Sequence, residues 1–342
     1  MPETPYGRHS VEVLGSVPTR GLTATYYGQR ALKPSDWRWL IITYFFIGGL
    51  AGAAQVIAGV LDLLGHRRDR ALVSAARYLA LGGALASPVL LIADLKTPSR
   101  FYNMLRVFRG TSPMSIGSWT LMMFGMSSGL AAAGQLGSDL FGWRWARALA
   151  RCTGVPAALS GAVMATYTGA LLSATSTPIW AGGYRLLPAI FGASGMSTAT
   201  AALGLILQRV PGTQLSLRRL ERLLLLASLV ELLLTRNLDS LLKRRRLSGP
   251  LETPPLATSY RVGVLGLGIV APLAVHLLQA LTGRELHMAS AIASLAALAG
   301  GYTQRAVFVL AGKRSAERAA DYFSLAHPAN VAELSAAGTG QL

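Results

Sequence analysis

The sequence predicts an all-α, polytopic membrane protein with about eight transmembrane helices in a bundle. Of its 342 residues, 52% are apolar and 14% are charged, and the mean hydropathy is +0.43. One soluble core cannot bury that much apolar surface. The apolar residues also fall in runs of roughly 20, the length at which a helix rising about 1.5 Å per residue crosses about 30 Å of hydrocarbon. Each run is therefore a predicted span.

The predicted spans follow one another along the whole chain. Seven are plain apolar runs, whereas the sixth has a short uncharged core, residues 223–230, and spans the bilayer only if its first arginines reach the headgroups. An even number of spans places both tails on the same side. The spans are residues 37–64, 71–95, 116–136, 155–176, 186–207, 217–234, 262–282 and 288–310.

A basic and proline-rich segment divides the predicted bundle. Lys243-Arg244-Arg245-Arg246 is followed by a stretch from Pro250 to Pro255 that is typical of an extended linker. We therefore expect five parts along the chain. They are a polar N-terminal tail (1–36), a six-helix region that holds the functional site (37–234), the basic loop (235–261), two further helices (262–312) and a polar C-terminal tail (313–342).

The net charge of +17 arises from basic residues that lie between the apolar runs. Anionic lipid headgroups occupy that depth, so the charge predicts contact with membrane lipid and argues against nucleic-acid binding. Lys and Arg are in excess on the side of the tails, which favours a cytoplasmic location for both tails.

The single cysteine, Cys152, excludes an intrachain disulfide, a covalent c-type haem and an iron–sulfur cluster held by this chain alone. A b-type haem needs two axial ligands, and of the five histidines only His276 lies well inside a predicted span. We therefore expect no haem, iron–sulfur cluster or other metal in this chain. Any electrons it handles come from another subunit.

The segment after the second span, residues 94–119, is the most informative in the chain. Asp94 closes an apolar helix, and a carboxylate at that depth is costly unless it is paired or poised to exchange a proton. Arg100, Arg106 and Arg109 are candidate partners. An ordinary interfacial aspartate in a surface loop explains the same charge spacing.

Three blocks of this sequence resemble the membrane subunits of the polysulfide reductase (NrfD-like) family. The first block is Asp94-Leu95, Arg100-Phe101 and Thr111-Ser112-Pro113-Met114-Ser115-Ile116-Gly117-Ser118-Trp119. The others are Tyr167-Thr168-Gly169-Ala170-Leu171-Leu172 with Pro178-Ile179-Trp180 and Leu187-Pro188-Ala189-Ile190-Phe191, and Trp37-Arg38-Trp39 with Tyr44, Gly48 and Gly49. The resemblance covers residues 37–234, while the last two helices match only in hydrophobicity.

The resemblance implies a subunit that oxidises or reduces a quinone near the membrane surface and is not catalytic alone. It implies a non-covalently bound menaquinone or ubiquinone, a ferredoxin-like iron–sulfur partner and a separate catalytic subunit. It also implies a multi-pass location in a prokaryotic energy-conserving plasma membrane.

Quinone chemistry moves two protons with two electrons, so it needs hydrogen-bonding and proton-exchanging groups in an apolar slot. By resemblance, Asp94 relays protons and the Tyr167 hydroxyl bonds a ring oxygen. A packing or interfacial tyrosine is the alternative for Tyr167. The further residues assigned to quinone binding are Arg38, Tyr44, Arg100, Ser112 and Trp119.

Arg38 departs from the family, whose members often have a histidine near the start of the first helix. A guanidinium can bind a quinone oxygen but cannot shuttle a proton at neutral pH. The acid–base role then depends more on Asp94. An arginine that marks the membrane surface is the alternative for Arg38.

Ionisable residues inside other spans suggest a competing function. Asp62, Glu231 and His276 are candidate proton relays, although structural pairing with arginines explains them equally well. They support either proton translocation coupled to quinone chemistry or a proton- or solute-conducting transporter. A non-redox membrane anchor is the third hypothesis.

Overall fold

The computed structural model describes residues 32–65, 69–283 and 286–326, and in these residues the chain is helical throughout and has no strand. Eight long helices succeed one another in the order of the eight predicted spans, which confirms the all-α bundle. They are α1 (Trp39–Leu64), α2 (Arg70–Ala93), α3 (Pro113–Phe141), α4 (Arg144–Ser173), α5 (Leu187–Leu207), α6 (Gln214–Arg244), α7 (Ser259–Val270, π-helical, then Ala271–Thr282) and α8 (His287–Glu317).

Five of these segments are long and apolar enough to cross a membrane by length and composition. They are α1, α2, α4, α5 and the stretch Leu256–Thr282 that contains α7. The other three, α3, α6 and α8, are 29, 31 and 31 residues long. At about 1.5 Å per residue each also exceeds the thickness of the hydrocarbon.

Helix α1 lies at the centre of the bundle, in contact with α2, α4, α5 and α8. Small residues bring its backbone close to α4. A Cβ atom at Gly161 of α4 would lie 2.7 Å from the carbonyl oxygen of Gly52, so this crossing admits only glycine. Helices α7 and α8 meet in the same way at Gly268 and Gly300.

The connections contain short helical pieces. The segment between α2 and α3 holds a 3-10 turn, Pro98–Arg100, and one helical turn, Asn103–Arg106. Helix α3 begins at Pro113, so residues 113–119 of the first family block are helical. The other short helices are Pro178–Gly182, Gly249–Glu252, Leu256–Thr258 and Ala319–Leu325.

The basic, proline-rich segment differs from the extended linker that we expected. Helix α6 continues to Arg244, ten residues beyond the predicted end of the span, and Leu238 and Leu242 of this extension are buried against the bundle. The following residues form two short helices in which Leu251 and Leu256 are buried. Apolar side chains among the prolines thus anchor this segment against the bundle.

The order of the helices predicts which connections share a membrane face. With Cys152 replaced by serine, we expect a membrane-impermeant maleimide to label Asp36→Cys and Ser99→Cys from one face and Gln214→Cys from the other, since two spans separate the first pair and an odd number separates the third site from both. Labelling of residues 36 and 99 from opposite faces would exclude the eight-span arrangement.

Candidate functional site

A cavity of about 90 Å³ lies at the end of the bundle where α2 ends and α3 begins. Three of the predicted site residues line it: Tyr44 from α1, Asp94 directly after α2, and Tyr167 from α4. The rest of its wall is largely apolar. The lining comprises Trp37, Ile41, Tyr44, Phe45, Leu91, Asp94, Leu95, Met104, Met114, Gly117, Ser118, Tyr167 and Leu171.

A larger apolar cavity of about 290 Å³ adjoins it between α2 and α3. The two cavities share Leu91, Leu95, Met104 and Ser118 in their walls, so they lie side by side, and we call the pair the slot. The apolar cavity extends along the helices to Met126, whose side chain is on the outer surface of the bundle. The slot therefore has a small polar end and a larger apolar end at the outer surface.

Tyr167 is held in place by the first turn of α3. Its hydroxyl donates a hydrogen bond to the carbonyl oxygen of Pro113 at 2.5 Å. Its ring lies against Gly117, where any Cβ atom would collide with it. Tyr167 therefore ties α4 to the start of α3. Its only hydroxyl proton is already donated to the protein.

Tyr44 and Asp94 are polar groups of the cavity wall for which the described residues offer no partner. Within the described residues, neither the Tyr44 hydroxyl nor the Asp94 carboxyl forms a hydrogen bond or an ion pair. Tyr44 is only 3% exposed. Because buried polar groups in proteins are nearly always bonded, an unbonded phenol in a cavity wall indicates a ligand or water.

Asp94 lies at the boundary between the bundle and the membrane surface. Burial raises the pKa of its carboxyl, while the nearby positive charges of Arg38 and Lys313 lower it. These opposed effects bring the two protonation states closer in free energy than in an exposed aspartate beside two cations. Such a carboxyl is suited to take up and release protons.

The other four residues predicted to bind quinone lie outside the cavity wall. Arg38 and Arg100 are exposed, and Arg38 acts on the site only through its charge near Asp94. Ser112 caps α3, because its Oγ accepts a hydrogen bond from the Ser115 amide at 3.4 Å. Trp119 packs edge-on against Phe108, with 6.0 Å between ring centroids.

The sequence patterns did not assign four other wall residues to the site. Trp37, Met104, Met114 and Ser118 all line the cavity. Trp37, Met114 and Ser118 belong to the blocks that resemble the family. Met104 carries no chemical signal that distinguishes it from any other apolar residue.

The candidate proton relays lie in separate networks. Glu231 of α6 accepts a hydrogen bond from Gln304 Nε2 at 2.9 Å, and the Gln304 Oε1 accepts one from Arg305 at 2.7 Å. Arg305 is fully buried and also bonds Ser194 of α5. The charged network thus joins α5, α6 and α8 inside the bundle.

Asp62 and His276 lie nearer the opposite end of the bundle. Asp62 pairs with Arg77 of α2 at 2.7 Å. His276 Nδ1 lies 3.0 Å from Gln279 Oε1 in α7. Among the described residues, no hydrogen bond links either group to Glu231, so these three relay candidates do not form one continuous chain.

Comparison with known protein families gives a match over most of the chain. The family model described as polysulphide reductase, NrfD, matches residues 30–315. The matched range includes the last two helices, which the sequence motifs alone did not assign to the family. No curated protein matches the chain.

The hydroxyl of Tyr167 predicts a structural effect of its removal. We expect Tyr167→Phe to lower the free energy of unfolding by about 0.5–1.5 kcal/mol, because it deletes the bond to Pro113 but leaves the ring against Gly117. Denaturant unfolding of the purified chain in detergent measures this. The control is Tyr322→Phe, because Tyr322 is exposed and its hydroxyl forms no hydrogen bond with the described residues. An equal loss in both variants would contradict the assignment.

Proposed function

This chain belongs to the NrfD family of membrane subunits of quinone-interacting oxidoreductases, and from that premise we propose that it exchanges electrons and protons between a quinone pool and an iron–sulfur partner subunit. The substrate is a menaquinone or ubiquinone, bound non-covalently. A separate catalytic subunit acts on the terminal substrate.

The slot beside Asp94 is the observation that carries this proposal. Its polar end, about 90 Å³, offers an unbonded phenol and a carboxyl, and its apolar end, about 290 Å³, leads to the outer surface. A quinone has the matching parts: a ring with two carbonyl oxygens and a long apolar tail. Ligand sites that are mostly apolar with a few convergent polar groups bind such molecules.

Reduction of the quinone to the quinol takes up two electrons and two protons, and oxidation releases them. The electrons pass to or from the iron–sulfur partner, since this chain holds one cysteine. Asp94 exchanges protons between a ring oxygen and the membrane surface, where it is half exposed. Arg38 and Lys313 stabilise its carboxylate after each proton has left.

The two tyrosines have different roles in this proposal. The Tyr44 hydroxyl donates a hydrogen bond to a ring oxygen. Tyr167, whose proton is engaged with Pro113, fixes the wall of the cavity and orients the ring by contact. This differs from the role that the family resemblance implied for Tyr167.

We place the iron–sulfur partner on the face where α2 ends. The cavity opens near that face, and the exposed residues Arg100, Arg106 and Arg109 lie on the connection beside it. The assembly resides in a prokaryotic energy-conserving plasma membrane.

A second candidate function is proton movement across the bilayer, and the network of Glu231, Gln304 and Arg305 favours it. A carboxylate that is 3% exposed inside a bundle is costly and is a candidate for proton transfer. Glu231 is bonded to several protein groups, and this is equally consistent with a structural ion pair. Glu231→Gln separates these roles when proton uptake and complex assembly are both measured.

We expect Asp94→Asn to reduce quinone-linked turnover of the assembled complex by roughly 10² to 10⁴ fold, because the amide keeps the shape but cannot exchange protons. Assembly should persist. Asp36→Asn, an exposed carboxylate on the same face, is the matched control and should turn over normally. Full activity of Asp94→Asn combined with loss of activity in Glu231→Gln would favour the transporter hypothesis.

For Tyr44→Phe we expect a rise of about 2- to 10-fold in the KM for quinone with little change in kcat, corresponding to one lost hydrogen bond of about 0.5–1.5 kcal/mol. Steady-state kinetics with a short-chain quinone analogue measure it. Tyr167→Phe should change KM less. The reverse order would restore Tyr167 as the ring-binding hydroxyl.

A further inference from the structure

The apolar cavity of about 290 Å³ lies between one face of α2 and one face of α3. Its wall residues recur every three or four positions on each helix, the spacing that places side chains on the same helix face. These two faces enclose a cleft between the helices. The wall residues are Pro88, Leu91, Ile92 and Leu95 on α2, and Ser118, Leu121, Met122, Gly125 and Met126 on α3.

The cleft is covered at the membrane surface and open toward the lipid. The connection between α2 and α3 covers it with Phe101, Met104 and Leu105. Its deepest wall residue on α3 is Met126, which is 61% exposed on the outer surface of the bundle. At about 1.5 Å per residue, Met126 lies about 20 Å along the axis from the start of α3. The open side of the cleft is therefore at the depth of the hydrocarbon, where an apolar chain can enter and a water-soluble ligand cannot.

The cleft adjoins the polar cavity beside Asp94, because four residues belong to both walls. A quinone ring between Tyr44 and Asp94 would therefore have its isoprenoid tail directly beside the cleft. A phospholipid fits the cleft less well. Its headgroup must stay at the membrane surface, and there the connection after α2 covers the cleft.

Gly125 lies at the middle of the α3 side of the cleft. It follows Ser118 by two helical turns, with Met122 between them on the same face. A Cβ atom at Gly125 would meet no neighbouring atom within 4 Å, so the space in front of this residue is empty. The lack of a side chain at Gly125 thus leaves room in the cleft that any larger residue would fill.

We propose that the cleft between α2 and α3 binds the first part of the isoprenoid tail of the quinone, and that Gly125 is a specificity-determining residue that keeps room for it. The quinone then enters and leaves sideways, between the two helices, from the bilayer. This inference rests on the proposed function, since it takes the ring to bind beside Asp94.

Equilibrium binding to the purified full chain tests the proposal without a partner subunit. Quinones quench tryptophan fluorescence, and Trp37 lines the polar cavity, so quenching reports a bound ring. Two pairs of ligands share a ring and differ in the tail: menaquinone with menadione, and ubiquinone with its ring lacking the tail. The pair that the wild type binds is used.

We expect Gly125→Leu to raise the Kd of the tailed quinone about tenfold or more, the discrimination that one displaced methylene group gives in an apolar pocket. The Kd of the tailless ring should not change. Partitioning of the tail into detergent or lipid is the same for every variant, so the ratio of variant to wild type reports the protein alone.

Gly82→Leu is the matched control. Gly82 is exposed on α2 outside the cleft, and a Cβ atom there also meets nothing within 4 Å. Both substitutions replace glycine in a helix by a better helix former, so neither should lower the melting temperature. An equal loss of tailed quinone in both variants overturns the proposal. So does unchanged binding in Gly125→Leu and in the larger Gly125→Phe.

This inference and the proposed function fail in different ways. If the wild type binds neither member of either pair, the proposed function is wrong and this inference falls with it. If the wild type binds both members and Gly125→Leu weakens both equally, the ring site stands and the tail assignment is wrong.

A photoreactive quinone locates the tail directly. With a diazirine on the first isoprenoid unit, crosslinks to the wild type should fall on the cleft residues of α2 and α3, Met122 and Met126 among them. Crosslinks confined to other helices overturn the proposal. Loss of copurified phospholipid from Gly125→Leu with no loss of quinone binding would show that a lipid acyl chain occupies the cleft, which also overturns it.

Discussion

The absence of water inside the bilayer governs this structure, because every polar group at that depth must find its partner within the protein. Many serines and threonines of the long helices bond carbonyl oxygens one turn back, as Ser118 and Thr303 do, whereas a few, such as Ser87 and Thr168, have no hydrogen-bond partner among the described residues. Charged and amide groups join separate helices. Arg305 ties α8 to α5, Gln304 ties α8 to Glu231 of α6, and Arg77 ties α2 to α1. These polar contacts determine which helices are neighbours. Apolar surfaces alone would not distinguish one helix from another as a packing partner.

The candidate site lies at the end of the bundle, where a polar group no longer needs a partner within the protein. Tyr44 and Asp94 remain unbonded there, whereas Tyr167, on the same cavity, satisfies its hydroxyl on the backbone of α3. Polar groups that a fold leaves unbonded are available to a substrate.

The slot differs in how it is built from a cavity beside His276, at the opposite end of the bundle. The slot beside Asp94 joins the ends of four helices and the connection after α2, and its wall is mostly apolar. The cavity beside His276 lies between two helices and is lined mainly by charged and amide side chains. The first therefore suits a largely apolar ligand, and the second suits a polar one.

The sequence by itself determined the order and approximate limits of the eight long helices, because the thickness of the hydrocarbon imposes a run length that composition reveals. Through the blocks that resemble the family, it also pointed to Asp94, Tyr44 and Tyr167. Only the tertiary structure decided that these three share a cavity while Ser112 caps a helix, Trp119 packs on Phe108 and Arg100 faces outward. It alone showed that the Tyr167 proton is already used and that Asp62, Glu231 and His276 belong to different networks. The reason is physical: apolar residues cover all faces of a helix in lipid, so helix rotation and crossing depend on contacts between residues far apart in the chain, which no local pattern encodes.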